Sequence, residues 1–369
     1  MSILLFFGIV AVSWLFVLQL EKMGKLGAER HAILLIFRTE RGKGFISRVA
    51  KHKRFWKVFG SVGVAVGILG MLLVIFSLVY SMYSTYVLRV PMEGARAVIP
   101  GVTIPFWYGI IGLITVLIIH EFSHGIVAKS EDVSIKTLGA LFITIIPIGA
   151  FVEPDEEELK AKKRISRMRI YAAGSFGNIL AAIFAVILMI SLSAHFLDTS
   201  VVEIGEVLED SPAEGILEKG MILDGINGRP LSGPEDFLEV AQELKPNTDV
   251  TIKTDRGTFT IKTSENKDYP QRGFIGIRVT SPLKGGFPDY IFYPLLSSLY
   301  WIALLNQGIG FINLAPLHFG IAATDGHHLL KDIISKFGIK DAEKITQAIS
   351  TTVLIVLAFT LLGPSYGAG

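Results

Sequence analysis

The sequence contains no cysteine. That excludes disulfides, thiol nucleophiles and cysteine-based zinc sites, so any metal must rest on histidine and carboxylate ligands. Charge is also scarce. Asp, Glu, Lys and Arg make up 18% of the 369 residues and hydrophobic types 51%, whereas a soluble domain has about 25% charged residues. The net charge of +2 gives no basis for a nucleic-acid partner, and none is expected.

What the chain has in abundance is long apolar runs. A helix needs about 20 mostly apolar residues to cross a bilayer, and runs of that kind lie near residues 2–20, 58–80, 106–128, 170–194, 291–315 and 345–362. The first has no basic segment before it and no small-residue cleavage site after it, so it reads as a retained anchor. The expected fold class is a polytopic α-helical membrane protein with about six transmembrane helices, and the lipid bilayer is its first partner. Residues 21–57 hold eleven basic and three acidic side chains, a second basic cluster precedes the fourth span, and residues 81–105 offer only Arg89 and Arg96. By the bias of Lys and Arg toward the cytoplasm, the basic clusters lie inside, and both termini and the polar insert after residue 200 lie outside. The basic run 43–57 could also meet anionic lipid, although topology control alone accounts for it.

Four segments follow from composition: residues 1–104, two spans with their basic connection; 105–198, two more spans; 199–282, a soluble insert; and 283–369, the last two. Within the second, "SIKTLGALFITIIPIGAFVEP" is too short and too interrupted by Pro147 and Gly149 for a helical span. Its β-branched residues predict a hairpin dipping into the membrane. The charged "EPDEEELKAKKRISRMR" reads as a solvated helical linker. In the insert, "VVEIGEVL" predicts a strand, "SPAEGILEKG" a short helix and "GMILDGINGRPL" a hairpin turning at Asn227-Gly228. An amphipathic helix "GPEDFLEVAQEL", a strand pair "DVTIKTDRGTFTIKT" and a last strand "GFIGIRV" complete it. That order resembles a PDZ domain, an α+β module that binds extended peptides by adding a strand to a sheet edge.

The third span carries His120-Glu121-Phe122-Ser123-His124, which fits H-E-x-x-H. Ionisable groups are costly in hydrocarbon and mark function there. Helical positions i and i+4 share a face, so both imidazoles can reach one ion. Glu121 stands beside them, ready to take a proton from a water whose pKa zinc lowers to about 7. A catalytic zinc needs a third protein ligand. Between residues 290 and 330 the only acidic side chain is Asp325, with His327 and His328 as rivals; His318 reads as structural and His195 as interfacial. His120 lies about fourteen residues into its span, roughly 20 Å along a helix, which sets the site on the cytoplasmic side of the midplane.

These residues resemble the site-2 protease family of intramembrane zinc metalloproteases. "HEFSH" is similar to its zinc helix, "PIGAFVEP" to its membrane-reentrant β-loop, "RISRMRIYAAGSFGN" to the start of its next core helix, and "NLAP…DG" to its Asn-x-x-Pro and Asp-Gly motif. The resemblance covers roughly residues 106–330. It implies Zn2+ on His120, His124 and Asp325, Glu121 as general base, and Asn313 and Asn178 as holders of substrate backbone or oxyanion. The hairpin, Gly149 included, would offer a strand edge to an unwound transmembrane substrate. It also implies a prokaryotic cell membrane, transmembrane protein substrates, and an extracytoplasmic PDZ-like domain with its own peptide ligand. Three departures stand out. Ser175 replaces a usual proline, Thr324 replaces a usual leucine, and nine positions separate Pro316 from Asp325, about one helical turn more than usual. Rival readings are a metal transporter, which leaves Glu121 unexplained, an inactive protease-like scaffold, and a membrane-anchored zincin with its site outside lipid.

Overall fold

The computed structural model describes residues 3–89, 98–144, 146–320 and 322–362. Residue 2, at the start of the first expected span, and Arg96, used to orient the chain, lie outside the described residues. In chain order the elements begin with α1 (Ile3–Lys22), β1 (Glu29–His31), β2 (Leu34–Thr39), α2 (Lys43–Val49) and α3 (Lys53–Tyr83). Then come α4 (Phe106–Ser130), β3 (Ile135–Ile143), β4 (Ile146–Pro154), α5 (Glu156–Ala161) and α6 (Arg164–Phe196). A run of short strands follows: β5 (Glu203–Val207), β6 (Leu223–Ile226) and β7 (Arg229–Pro230), then α7 (Pro234–Glu243), then β8 (Asp249–Thr254), β9 (Gly257–Lys262), β10 (Ser264–Glu265), β11 (Gly273–Phe274) and β12 (Ile277–Thr280). The chain ends with α8 (Asp289–Leu314), α9 (Asp325–Lys336) and α10 (Ala342–Leu362).

Apolar runs become helices because lipid offers no partner for backbone N–H and C=O groups. Among the described residues, five helical segments are long and apolar enough to cross a membrane: Lys53–Leu88, Phe106–Ser130, Arg164–Phe196, Asp289–Leu314 and Ala342–Thr360. They coincide with the second to sixth expected spans. The first expected span is α1, a helix of 20 residues.

The chain divides into two compact units, residues 1–186 with 297–369, and residues 187–296. In the first, β1-β2-β3-β4 form an antiparallel sheet in that order. The hairpin of β3 and β4 is the one expected from sequence. The sheet is larger than expected, because β2 pairs with β3 from Leu34↔Ile143 to Thr39↔Leu138. Among the described residues β4 is one of the two edge strands, with β1 at the other side. Ile46 of α2 is fully buried with Ile126, Leu138 and Val152, which ties α2 to both α4 and the sheet. Glycines 60, 63, 67 and 70 form a stripe on α3, and the places where their Cβ atoms would stand lie against Arg169, Phe176, Leu329 and Leu314. Small residues at this spacing let helices in lipid approach closely.

The expected solvated helical linker is solvated in its first part, where Glu156, Glu157, Glu158 and Lys160 are exposed, but it is not a single helix. Lys162 is extended and separates α5 from α6. Asp155 caps α5, accepting from the N–H groups of Glu157 and Glu158 at 3.0 Å each. The basic residues beyond are engaged: Arg169 pairs with buried Glu131 at 2.8 Å, and Arg167 forms two hydrogen bonds with buried Asp332.

The second unit has its own core, including Ile204, Leu223, Ile226, Val250, Ile252 and Ile261. Its larger sheet runs β7-β6-β8-β9, with β10-β11 and β12-β5 as separate pairs. The Asn227-Gly228 turn is where the sequence put it, both residues at positive φ. Two expectations fail. "SPAEGILEKG" forms turns rather than a helix, because Gly215 at φ 73° stops propagation after the bonds from Ile216 and Leu217 to the Ala213 carbonyl. "GFIGIRV" is not one strand: Gly276, at φ 90°, breaks it into β11 and β12.

Candidate metal centre

His120 and His124 stand one turn apart on α4, their Nε2 atoms 3.1 Å from each other. Asp325 is the first residue of α9. Its Oδ1 lies 3.2 Å from His124 Nε2 and its Oδ2 3.5 Å from His120 Nε2. All three side chains are partly buried, with one donor atom of each within 4.8 Å of the others. Asp325, not His327 or His328, therefore completes the cluster.

Neighbours of α6 aim each donor. His124 Nδ1–H donates to the Ile170 carbonyl at 2.7 Å, which leaves the Nε2 lone pair facing the cluster. His120 Nδ1 is 3.2 Å from the amide of Asn178, a residue with no exposed surface. With the amide nitrogen turned to the ring, Asn178 Oδ1 is buried without a partner. Amide oxygen and nitrogen are interchangeable assignments. Exchanging them lets Oδ1 accept from Nδ1–H and frees Nε2 as a ligand, the arrangement a metal-bound imidazole requires. Ser175 Oγ donates to Asp325 Oδ2 at 2.8 Å. Gly174 makes room, since a Cβ there would stand 2.3 Å from His124 Nε2.

This donor set fits zinc. Ligand bonds of about 2.0–2.1 Å in a tetrahedron put donors roughly 3.3 Å apart, and the observed separations are 3.1, 3.2 and 3.5 Å. Two unprotonated imidazole nitrogens this close repel each other unless a cation lies between them.

The longer connection before Asp325 is stitched by Thr324. Its hydroxyl donates to the Ala315 carbonyl at 2.5 Å and accepts from Leu317 N–H at 3.0 Å. Gly326 is required by close approach, because a Cβ would meet the Leu314 carbonyl oxygen at 2.0 Å. The Arg167–Asp332 pair and a 3.2 Å bond from Arg164 to the Ser335 carbonyl fasten the rest of α9 to α6. His327 turns away, its Nδ1 2.8 Å from Ser350 Oγ, and burial drops its pKa to about 4. His328 stacks on Tyr171. His318 faces the His327 ring at 5.0 Å, and His195 packs against Phe196.

A cavity of about 860 Å³ opens onto the cluster, lined among others by His120, Glu121, His124, Gly149, Asn313 and Asp325. Glu121 Oε2 accepts from the Val152 N–H of β4 at 2.8 Å, so an edge strand holds the carboxylate beside the imidazoles. Asn313 and Gly149 thus face the cavity, while Asn178 serves His120 from behind. Sequence reasoning noticed Ser175 and Thr324 only as departures and gave no role to Gly174, Ile170 or the Val152 N–H. The small-residue run "AAGSFGN" was the available signal, since it marks a surface other side chains approach closely.

Comparisons with known proteins bear on the family. The sequence model of Peptidase family M50 matches residues 108–361. The chain is 32% identical over 301 residues to an uncharacterized protein of Methanocaldococcus jannaschii, covering 80% of this chain and 76% of that one. It is 26% identical over 216 residues to the membrane-bound transcription factor site-2 protease homolog of Arabidopsis thaliana, covering 55% of this chain and 40% of that one. Among solved structures, the PDZ domain of an SdrC-like protein from Listeria monocytogenes is 24% identical. It covers 22% of this chain and 88% of that domain, with a TM-score of 0.20.

Proposed function

The chain belongs to peptidase family M50, the site-2 protease family, and from that premise we propose that it is a zinc metalloprotease cutting peptide bonds within or near transmembrane segments. The observation that carries the reading is the meeting of His120, His124 and Asp325 within 4.8 Å on and beside a helix fit to cross a membrane. Zinc held there would supply the Lewis acid that polarises the scissile carbonyl and acidifies water.

The chain's own residues divide the remaining work. Glu121 takes a proton from the attacking water and returns it to the leaving amine, a general base turned general acid. Val152 N–H keeps that carboxylate in place. Ile170, Asn178 and Ser175 orient the three ligands. Unwinding a substrate helix in lipid exposes backbone groups costing several kcal/mol each, and the edge of β4, at Gly149 and Ala150, can take them up as an added strand. Asn313, which lines the same cavity, is assigned to the carbonyl oxygen.

The setting is proposed on the same footing. The protein lies in a prokaryotic cell membrane with six spans, the catalytic residues reached by water from the cytoplasm. Residues 199–282 are a PDZ-like domain outside, screening transmembrane substrates by a bound peptide; the element order of β5 to β12 around α7 supports this. The transporter reading leaves Glu121 and its Val152 contact without a purpose.

The test is the Glu121→Gln protein, purified full length. It should hold metal as the parent does and cleave a destabilised transmembrane peptide at least a hundredfold more slowly. Cleavage at the parental rate would end the assignment of Glu121 as base.

A further inference from the structure

Among the described residues, the end of α2, the turn after it and the start of α3 carry cations that no acidic side chain answers. Arg48, Lys51 and Arg54 are exposed, and among the described residues their side chains make no ion pair or hydrogen bond. Nearby basic groups do have partners: Lys53 pairs with Asp132, and Lys57 lies 3.8 Å from Glu131. Arg48 and His52, with Val49, Phe55 and Trp56, line an open pocket of about 580 Å³. Trp56 fastens the two helices there, its Nε1–H donating to the Val49 carbonyl at 2.8 Å.

This pocket stands at the end of a membrane-crossing segment that begins at Lys53. Below it, exposed Phe55, Val58, Val62 and Leu69 recur at helical spacing down α3, a lipid-facing stripe. The Lys53–Asp132 pair sets this level just past the last residue of α4, the end of a second crossing segment. Unpaired cations at headgroup height above an apolar stripe fit one ligand chemistry, a phosphate ester carrying acyl chains.

We infer that the α2–α3 junction is a docking site for an anionic phospholipid, its phosphate held by Arg48 and His52 and its acyl chains lying along Phe55 and Val58. Lys51 and Arg54 add charge at the rim. The opposite face of α2 carries Ile46, buried against Ile126, Leu138 and Val152, and Val152 N–H holds Glu121. A lipid bound here steadies α2 one layer behind that carboxylate. The site stands whether or not the proteolytic reading does, because its test measures binding and backbone protection.

The experiment uses the full chain with Trp56 as the sole tryptophan, Trp14, Trp107 and Trp301 being replaced by Phe, in bilayers of brominated lipid. Brominated phosphatidylglycerol should quench Trp56 at a several-fold lower mole fraction than brominated phosphatidylcholine. Arg48→Gln should raise that mole fraction about fivefold, whereas Arg41→Gln, an exposed cation outside the pocket, should leave it unchanged. In the unmodified chain, phosphatidylglycerol should slow amide exchange across residues 43–49, and Arg48→Gln should abolish that protection. Equal quenching by the two lipids, or equal effects of the two arginine variants, overturns the inference. So does equal protection by inorganic phosphate, which would mark a free-anion site, or by polyglutamate, which would mark a site for an acidic protein.

Discussion

Gly174→Ala is the sharpest perturbation the structure offers. The added methyl carbon would lie 2.3 Å from His124 Nε2 and 2.8 Å from His120 Cε1, against about 3.5 Å for an ordinary contact. The rings must retreat by roughly 1 Å, several times the ±0.2 Å that metal–ligand distances tolerate. His124 cannot retreat freely, because its Nδ1 is bonded to the Ile170 carbonyl at 2.7 Å. Overpacking of this kind costs about 1–3 kcal/mol, and loosening the Ile170 bond adds about 1 kcal/mol. The Ile170 bond is lost with or without metal, so the net loss in metal binding is the overpacking cost of about 1–3 kcal/mol, roughly 5- to 150-fold weaker binding. Without metal, His124 can give up that bond and rotate outward, so the stripped protein should lose only about 1 kcal/mol of stability. The assay is competition for zinc against a chelator of known affinity, paired with thermal unfolding after metal removal. Affinity within threefold of the parent would refute the reasoning, as would a loss that merely tracks unfolding of the stripped protein.

Three further outcomes are expected. Ser175→Ala removes the hydrogen bond to Asp325 Oδ2, worth about 1.5 kcal/mol to a charged acceptor, and should weaken zinc binding about tenfold; parental affinity would show that the carboxylate needs no such hold. Asn178→Leu releases the His120 ring and should lower zinc affinity about 10- to 100-fold; no change would show that the tautomer is set otherwise. A fragment of residues 197–288 should unfold cooperatively in urea, with Ile252→Ala, a fully buried position, costing about 2–5 kcal/mol; a non-cooperative transition would deny that this unit has a core of its own.

How much of this was legible depended on whether the signal was local. H-E-x-x-H declares itself within one helical turn, and Asp325 could be named because no other acidic side chain lies between residues 290 and 330. The β3–β4 hairpin showed in its β-branched residues. Its third partner did not: β2 is six residues in a basic stretch, and only pairing with β3, about a hundred positions later, makes it a strand. The expected helix near Ala213 shows the opposite error, a plausible local pattern halted by Gly215 at positive φ. Ser175 and Thr324 looked like defects when judged by motif. In the fold one holds Asp325 and the other ties down the longer connection before it, so both departures serve the ligand position. The roles of Gly174, Ile170 and the Val152 N–H depend on which backbone comes near which ring, and a single sequence does not carry that.

Zinc X-ray absorption on the loaded full-length protein tests the ligand cluster most directly. Two imidazole nitrogens and carboxylate oxygen should appear at about 2.0–2.2 Å, with one imidazole lost in His124→Ala and the oxygen shell altered in Asp325→Ala. A spectrum without imidazole scattering, or one that neither substitution changes, would contradict it.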